Sequence, residues 1–176
     1  MLHTVVGGMF AGKTSELLRQ GKRHELAGRL VLYIKPEFDS RYGMDVIGTH
    51  DGETVVAKTI DKPNALLAYN HLKYEVFVID EIQFFDERII DYIDFLLQMD
   101  KTVIVGGLDM DYEGKPFENS AQLLAMADQV TKLKAVCQLC GDDATFSNRT
   151  MESTERHALG GQGDYYPTCR KCRNTN

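Results

Sequence analysis

The chain has 176 residues, of which 43% are hydrophobic and 26% are charged, and its formal net charge is -6. This length and balance are typical of one globular domain with a small appendage, and the negative charge argues against nucleic acid as the main partner. No apolar run reaches the roughly 18 residues of a membrane-spanning helix, and the first predicted strand begins at Leu2, which leaves no room for a secretion signal. We therefore expect a cytoplasmic enzyme without a membrane or nucleic-acid partner.

Short apolar runs alternate with helical patterns over most of the chain. Strands are predicted at residues 2–6, 30–34, 76–79, 102–105 and 130–136, and helices at 15–27, 61–72, 86–97 and 121–127. Residues 37–52 lack periodicity and are predicted to form a long functional loop. Uninterrupted apolar strands separated by helices predict an α/β fold, with a parallel sheet covered on both faces. Because the composition changes after Ala135, we expect a nucleotide-binding domain over residues 1–136 and a small domain over 137–176.

The loop after the first strand fits G-x-x-x-x-G-K-[ST], the pattern of a loop that binds nucleoside triphosphates. Gly7 and Gly12 would let backbone amides turn inward, and the helix that follows adds positive partial charge. Lys13 would neutralise the β- and γ-phosphates of ATP, and the Thr14 hydroxyl would bind Mg²⁺. The alternative is a plain glycine turn between a strand and a helix. The candidate loop residues are Gly7, Gly8, Met9, Phe10, Ala11, Gly12, Lys13 and Thr14.

Acidic and aromatic residues follow the later strands. Asp80 and Glu81 come directly after the strand at 76–79, where one carboxylate can act on Mg²⁺ and the other can accept a proton from an attacking hydroxyl. Asp51 is a further acidic candidate, and the alternative for Glu81 is a solvated strand-end carboxylate. We expect pocket walls for a base or sugar from Gln83, Phe84 and Phe85, and from Asp109, Asp111, Tyr112 and Phe117. The alternative for the second group is ordinary turn chemistry.

Four cysteines form two C-x-x-C pairs, Cys137 with Cys140 and Cys169 with Cys172. Two such pairs predict a closed, tetrahedral Cys₄ zinc site of structural type, and thiolates without a redox partner favour zinc over iron. The alternative is a redox C-x-x-C pair. The loop between the pairs carries glycines beside aromatic rings, which suits recognition of a planar polar ligand.

The chain resembles the type II thymidine kinases over almost its whole length. The motifs that carry the resemblance follow in the family's order: the phosphate loop, Asp80-Glu81, Gln83-Phe84-Phe85 and the cysteine pairs. The resemblance implies that Glu81 takes the proton of the deoxyribose 5′-hydroxyl. It also implies that Asp51, Asp80 and Gln83 join the loop at the ATP and Mg²⁺ site. A lasso loop would close over the base, with its two ends held by structural zinc. The implied thymidine pocket consists of Met9, Phe84, Tyr112, Ser147, Gly160, Gly161 and Tyr165.

The expected reaction is transfer of the ATP γ-phosphoryl group to thymidine, giving thymidine monophosphate. The resemblance also implies a homotetramer and feedback inhibition by thymidine triphosphate. Three residues depart from the family pattern, namely Gly8 for Pro, Ala11 for Ser, and Ile82 for a small residue, so that Ile82 must point away from the pocket. Three other functions stay open at this point: a kinase for another deoxynucleoside, a nucleic-acid-dependent ATPase with a zinc ribbon, and a non-catalytic nucleotide-binding module.

Overall fold

Strands and helices alternate along the chain in a computed structural model that describes residues 1–39, 43–49, 52–68, 71–150 and 163–173. The strands are β1 (Leu2–Val6), β2 (Val31–Pro36), β3 (Val46–Gly48), β4 (Thr54–Val56), β5 (Lys58–Ile60), β6 (Val76–Ile79), β7 (Thr102–Gly107), β8 (Gln129–Lys132), β9 (Ala135–Val136), β10 (Asp143–Ala144), β11 (Phe146–Arg149) and β12 (Tyr165–Thr168). The α-helices are α1 (Lys13–Leu26), α2 (Arg88–Gln98), α3 (Glu118–Met126) and α4 (Arg170–Arg173), and 3₁₀ helices span Pro63–Ala68 and Ile82–Phe84.

The central sheet has six strands in the order β5-β2-β6-β7-β1-β8. Every neighbouring pair in it is parallel. All six strands therefore end at one edge, and this edge receives both the glycine-rich loop after β1 and the carboxylates after β6. The predicted parallel sheet is confirmed.

Helices cover both faces of the sheet because the strand residues alternate between two hydrophobic clusters. Leu17 and Leu18 of α1 pack on one face, and α2 and α3 pack on the other. The first face presents Val5, Tyr33, Val76, Val78 and Ile104, and the second presents Leu32, Ile34, Phe77, Ile79, Val103 and Val105. Both sides of each central strand are thus buried, which explains the continuous apolar runs in the sequence. The predicted α/β class is confirmed.

Three local predictions were wrong. The predicted loop at 37–52 contains β3, which pairs with β4 in an antiparallel hairpin, and strands of three residues are too short to show a period. The predicted helix at 61–72 is a short 3₁₀ helix, Pro63–Ala68. The predicted strand at 130–136 divides into β8 and β9, because β1 ends at Val6 and β8 loses its partner there.

The C-terminal part consists of short antiparallel pairs, β9 with β10 and β11 with β12, followed by α4. Its small core contains Cys137 and Cys169, and Phe10 and Ala11 of the glycine-rich loop pack against this core. The division into domains at residues 136 and 137 stays a prediction. In the described part of the chain, no helix has both the length and the apolar character needed to cross a bilayer.

The packing of α1 on β7 predicts the effect of a single methyl group. A Cβ added at Gly106 would lie 2.9 Å from Cγ of Leu17, which is itself fully buried. Because the core is already filled there, Gly106→Ala is expected to lower the free energy of unfolding by about 1–3 kcal/mol, measured by urea denaturation. Leu17→Ala provides the matched test, since it removes the atoms that clash. The two substitutions should be non-additive, with the double variant more stable than the sum predicts, and strict additivity would contradict this packing.

Candidate functional site

The glycine-rich loop connects β1 to α1 through a backbone that requires glycine at two positions. A Cβ at Gly7 would lie 2.6 Å from the carbonyl oxygen of Leu133, and Gly12 has a left-handed conformation with φ 82° at the start of α1. The Nζ atom of Lys13 donates a hydrogen bond to the carbonyl oxygen of Gly8 at 2.8 Å. The ammonium group therefore lies beside the loop, where amides, helix terminus and cation together favour a polyanion.

Asp80 follows β6 and is hydrogen-bonded to the start of α1. The Thr14 hydroxyl donates to Oδ2 of Asp80 at 3.0 Å, and the backbone N–H of Glu81 donates to Oδ1 at 2.9 Å. Burial, followed by repulsion from Glu81, raises the pKa of Asp80 to about 7, although Lys13 and the two hydrogen bonds act in the opposite direction. A buried carboxylate beside a hydroxyl is a donor set that suits Mg²⁺, whose charge would favour the ionised form of Asp80.

Glu81 is 7% exposed and has a left-handed backbone, with φ 52° and ψ 45°. Such a conformation costs a non-glycine residue about 1–3 kcal/mol and is concentrated at functional sites. The side-chain amide of Gln83 donates to Oε2 of Glu81 at 2.5 Å, and Oε1 of Gln83 accepts the N–H of Leu108 at 2.9 Å. Gln83 therefore holds the Glu81 carboxylate and links it to the segment after β7. Its place at the ATP and Mg²⁺ site stays a prediction.

A cavity of about 640 Å³ opens beside this turn. Its walls include Phe38, Gln83, Phe84, Phe85, Phe117 and Asn119. The rings of Phe38 and Phe84 have centroids 4.8 Å apart. Sequence reasoning missed Phe38, although an aromatic residue just beyond the carboxyl end of a strand was an available signal. Ile82 is fully buried in the core cluster with α2, so its side chain points away from this cavity, as expected.

Sequence reasoning also missed Asn119 of α3. Its Nδ2 atom donates to the carbonyl oxygens of Ile82 at 3.2 Å and Phe85 at 2.8 Å, which fixes the turn that carries Glu81. A polar residue in the first turn of a helix carries no sequence signal for this role, because the acceptors are backbone atoms 34 and 37 residues away.

Residues 108–117 form a hairpin at the same edge, which we call the 108–117 hairpin. Its arms meet at a bridge between Met110 and Pro116, and Oδ1 of Asp111 accepts the N–H of Lys115 at 2.9 Å. Oδ2 of Asp109 pairs with Nζ of Lys132 at 2.9 Å. Asp111 therefore stabilises the turn of the hairpin, and Asp109 ties its first arm to β8, while Phe117 at its end lines the cavity.

The β11–β12 pair brings predicted pocket residues to the same region. The backbone N–H of Met9 donates to Oγ of Ser147 at 2.8 Å. The guanidinium of Arg149 lies 3.9 Å from the centroid of the Tyr112 ring, and its Nε donates to the Tyr165 hydroxyl at 3.0 Å. Arg149 thus joins two predicted pocket tyrosines, a role that sequence reasoning did not assign to it.

Four sulfur atoms meet in the C-terminal part of the chain from β9 to α4, which we call the cysteine module. The Sγ atoms of the cysteines in both C-x-x-C pairs all lie within 4.8 Å of one another, and those of Cys140 and Cys169 are 3.7 Å apart. A tetrahedral zinc ion with bonds of about 2.3 Å requires sulfur atoms roughly 3.8 Å apart, so the cluster fits this metal. Three predicted site residues, Asp51, Gly160 and Gly161, lie outside the described residues.

Comparisons with known proteins identify the family of this chain. The family model described as thymidine kinase matches residues 1–173. A protein named thymidine kinase from Bacteroides thetaiotaomicron is 40% identical over 171 residues, which cover 97% of this chain and 85% of that protein. One of the same name from Bacteroides fragilis is 39% identical with the same coverage. Another from Pseudothermotoga lettingae is 34% identical over 174 residues, covering 98% of this chain and 94% of that protein. The resemblance inferred from the motifs is therefore confirmed, and the chain belongs to the thymidine kinase family.

Proposed function

We propose that this protein transfers the γ-phosphoryl group of ATP to the 5′-hydroxyl of thymidine, giving thymidine monophosphate and ADP. A member of this family is a kinase, with ATP as donor and thymidine as acceptor. The observation that carries the proposal is the hydrogen bond of Thr14 to Asp80, because it joins the glycine-rich loop to the carboxylate pair. Phosphoryl transfer requires that the groups binding the phosphate donor lie next to the groups binding the acceptor hydroxyl.

The donor side of the proposed site is the loop from Gly7 to Thr14. Its backbone amides and the Lys13 ammonium would bind the phosphates, and the Thr14 hydroxyl and Asp80 would hold Mg²⁺. When bound, the ion would neutralise the negative charge of the transferred phosphate. The predicted contribution of Asp51 to the metal site belongs to this proposal as well.

The acceptor side is the Glu81 carboxylate. The 5′ oxygen of thymidine attacks the γ-phosphorus while the bond from that phosphorus to the β–γ bridging oxygen breaks, and the bonding electrons leave with ADP. Glu81 receives the proton of the 5′-hydroxyl as the new bond forms. The hydrogen bond from Gln83 supports this role, since it fixes the carboxylate before the nucleoside binds.

The thymidine pocket is proposed to consist of Met9, Phe84, Tyr112, Ser147 and Tyr165, together with the lasso residues Gly160 and Gly161. Its support is the contact of Ser147 with Met9 and the stacking of Arg149 on Tyr112. Structural zinc would hold both roots of the lasso, and a closed Cys₄ site leaves no open coordination position for a substrate. The homotetramer, feedback inhibition by thymidine triphosphate and a cytoplasmic location are proposed from the resemblance.

Phosphate transfer from labelled ATP to thymidine, deoxyuridine, deoxycytidine and deoxyguanosine tests the function. We expect product from the pyrimidines that lack a 4-amino group. Glu81→Gln should bind thymidine but lower turnover by about 10²-fold or more, because the general base is lost. The control is Glu25→Gln, an exposed glutamate on α1.

Undiminished turnover of Glu81→Gln would contradict the assignment of the base. ATP hydrolysis stimulated by DNA or RNA, without a nucleotide product, would indicate a nucleic-acid-dependent ATPase instead. ATP binding without transfer to any nucleoside would indicate a binding module.

Asp80 should reduce the stability of the nucleotide-free protein at neutral pH. Its pKa is raised from 3.8 to about 7 in the fold, so between these values the folded protein binds more protons than the unfolded chain. The free energy of unfolding therefore falls as pH rises through this window. Asp80→Asn should flatten this dependence and raise the melting temperature above about pH 7, at about 2–4 °C per kcal/mol, while transfer activity is lost.

Thermal denaturation from about pH 4.5 to about pH 8 measures this effect. Asp94→Asn is the matched control, because Asp94 is an exposed carboxylate on α2. A steeper pH dependence or a lower melting temperature of Asp80→Asn at neutral pH would contradict the burial effect.

The cysteine cluster predicts one zinc ion per chain, measurable by elemental analysis of the purified protein. Cys137→Ser should abolish stoichiometric zinc and weaken thymidine binding strongly. It should leave most of the far-ultraviolet circular dichroism unchanged, because the six-stranded sheet contains no cysteine. Leu139→Ser is the control, since Leu139 is exposed and lies between Cys137 and Cys140. Retention of stoichiometric zinc by Cys137→Ser would contradict the proposed site.

A further inference from the structure

Arg173 connects the cysteine module to the 108–117 hairpin. It is the last residue of α4 and follows Cys172, and its backbone N–H donates to the carbonyl oxygen of Cys169 at 3.0 Å. Its guanidinium lies 4.3 Å from the centroid of the Phe146 ring and donates through Nη2 to the carbonyl oxygen of Glu113. The backbone of Arg173 is thus fixed by the second C-x-x-C pair, while its side chain reaches the hairpin tip.

The hairpin tip fits closely against this guanidinium. Gly114 has a left-handed conformation with φ 78°, and a Cβ added there would lie 2.7 Å from Nη2 of Arg173. The acceptor is the backbone carbonyl of Glu113, whose carboxylate instead pairs with Lys115 at 2.5 Å. The contact therefore depends on the shape of the tip and on the arginine, and not on the charge of Glu113.

The 108–117 hairpin is held at both ends by groups of the site. At its base, Leu108 is bound by Gln83, which also positions Glu81. At its tip, Glu113 and Gly114 contact Arg173. Tyr112 lies next to the tip, and its ring packs against Arg149. Without the contact at the tip, the contacts that hold Tyr112 in the described part of the chain are those at the hairpin base and the stacking on Arg149.

We infer that Arg173 is a positioning residue for the thymidine pocket, which holds Tyr112 in place by fixing the tip of the hairpin to α4. This inference rests on the proposed function, because the role of Tyr112 in binding thymidine is part of that proposal. Since α4 carries the metal-ligand candidate Cys172, Arg173 also transmits the order of the cysteine cluster to the pocket wall. The hydrogen bond of a charged donor together with cation–π packing is sufficient for a measurable effect on affinity.

Steady-state kinetics of Arg173→Ala tests the inference. Its KM for thymidine should rise roughly tenfold, the change expected from losing a charged hydrogen bond, while its KM for ATP and its zinc content stay near those of the wild type. Arg173→Lys keeps the positive charge but lacks the planar donors, so it should recover only part of the affinity.

Two matched controls are available. Arg170→Ala removes a guanidinium from the same helix, 5.0 Å from the centroid of the same Phe146 ring. Within the described part of the chain, Arg170 makes no hydrogen bond to the hairpin. Glu113→Gln preserves the backbone acceptor. Both variants should keep the wild-type KM for thymidine.

Hydrogen exchange provides a second readout that does not depend on activity. The N–H groups of Gly114 and Lys115 are bonded to the backbone oxygen and the side chain of Asp111, so they report on the order of the tip. Exchange at these amides should accelerate in Arg173→Ala and not in Arg170→Ala. A wild-type protein that phosphorylates no nucleoside would refute the proposed function, but it would leave this measurement interpretable.

Three results would overturn the inference. The first is unchanged exchange at the tip with zinc retained. The second is accelerated exchange with an unchanged KM for thymidine, which would mean that the tip does not position the pocket. The third is a raised KM without accelerated exchange, which would mean that Arg173 acts by another route. If Arg173→Ala loses zinc, Arg173→Lys carries the same two measurements, and a wild-type result in both would refute the role.

Discussion

The hydrogen bond between Thr14 and Asp80 joins the two halves of the site. Thr14 is in the first turn of α1, after β1, whereas Asp80 follows β6, and β7 lies between these strands in the sheet. The two residues approach because parallel strands end at a common edge, which places segments distant in sequence side by side. The proposed donor and acceptor groups depend on this alignment, since a phosphate-binding loop and a carboxylate that accepts a proton must face one reacting phosphorus.

The same edge of the sheet contains features that reduce stability. Asp80 is buried with a raised pKa, and Glu81 has a left-handed backbone that its side chain disfavours. Residues that violate local folding rules tend to lie at functional sites. A divalent cation would relieve the first cost by favouring the ionised carboxylate. The hydrogen bonds of Asn119 offset the cost of the Glu81 backbone conformation, because they anchor the turn that carries Glu81.

The cysteine module contacts several elements of the site and not only the predicted pocket. Ser147 binds the backbone of Met9, and Phe10 packs against the core that contains Cys137. Two arginines of the module, Arg149 and Arg173, contact the 108–117 hairpin. Modules too small to bury a large apolar core commonly gain their order from a bound metal, and the four cysteines could hold one here. Metal binding and the shape of the substrate site are therefore expected to be coupled in this protein.

The sequence alone determined the α/β class, the glycine-rich loop, the carboxylates after β6 and the cysteine pairs. These features depend on local chemistry, namely continuous apolar runs, glycine conformations and fixed ligand spacing. Only the tertiary structure revealed Asn119 as the anchor of the Glu81 turn, Arg149 between two tyrosines, and Arg173 at the hairpin tip. Arginine and asparagine side chains reach backbone atoms and rings far away in sequence, so no local pattern encodes their partners. The three-residue strands β3, β4 and β5 were missed for a related reason, because their pairing and not their composition makes them strands.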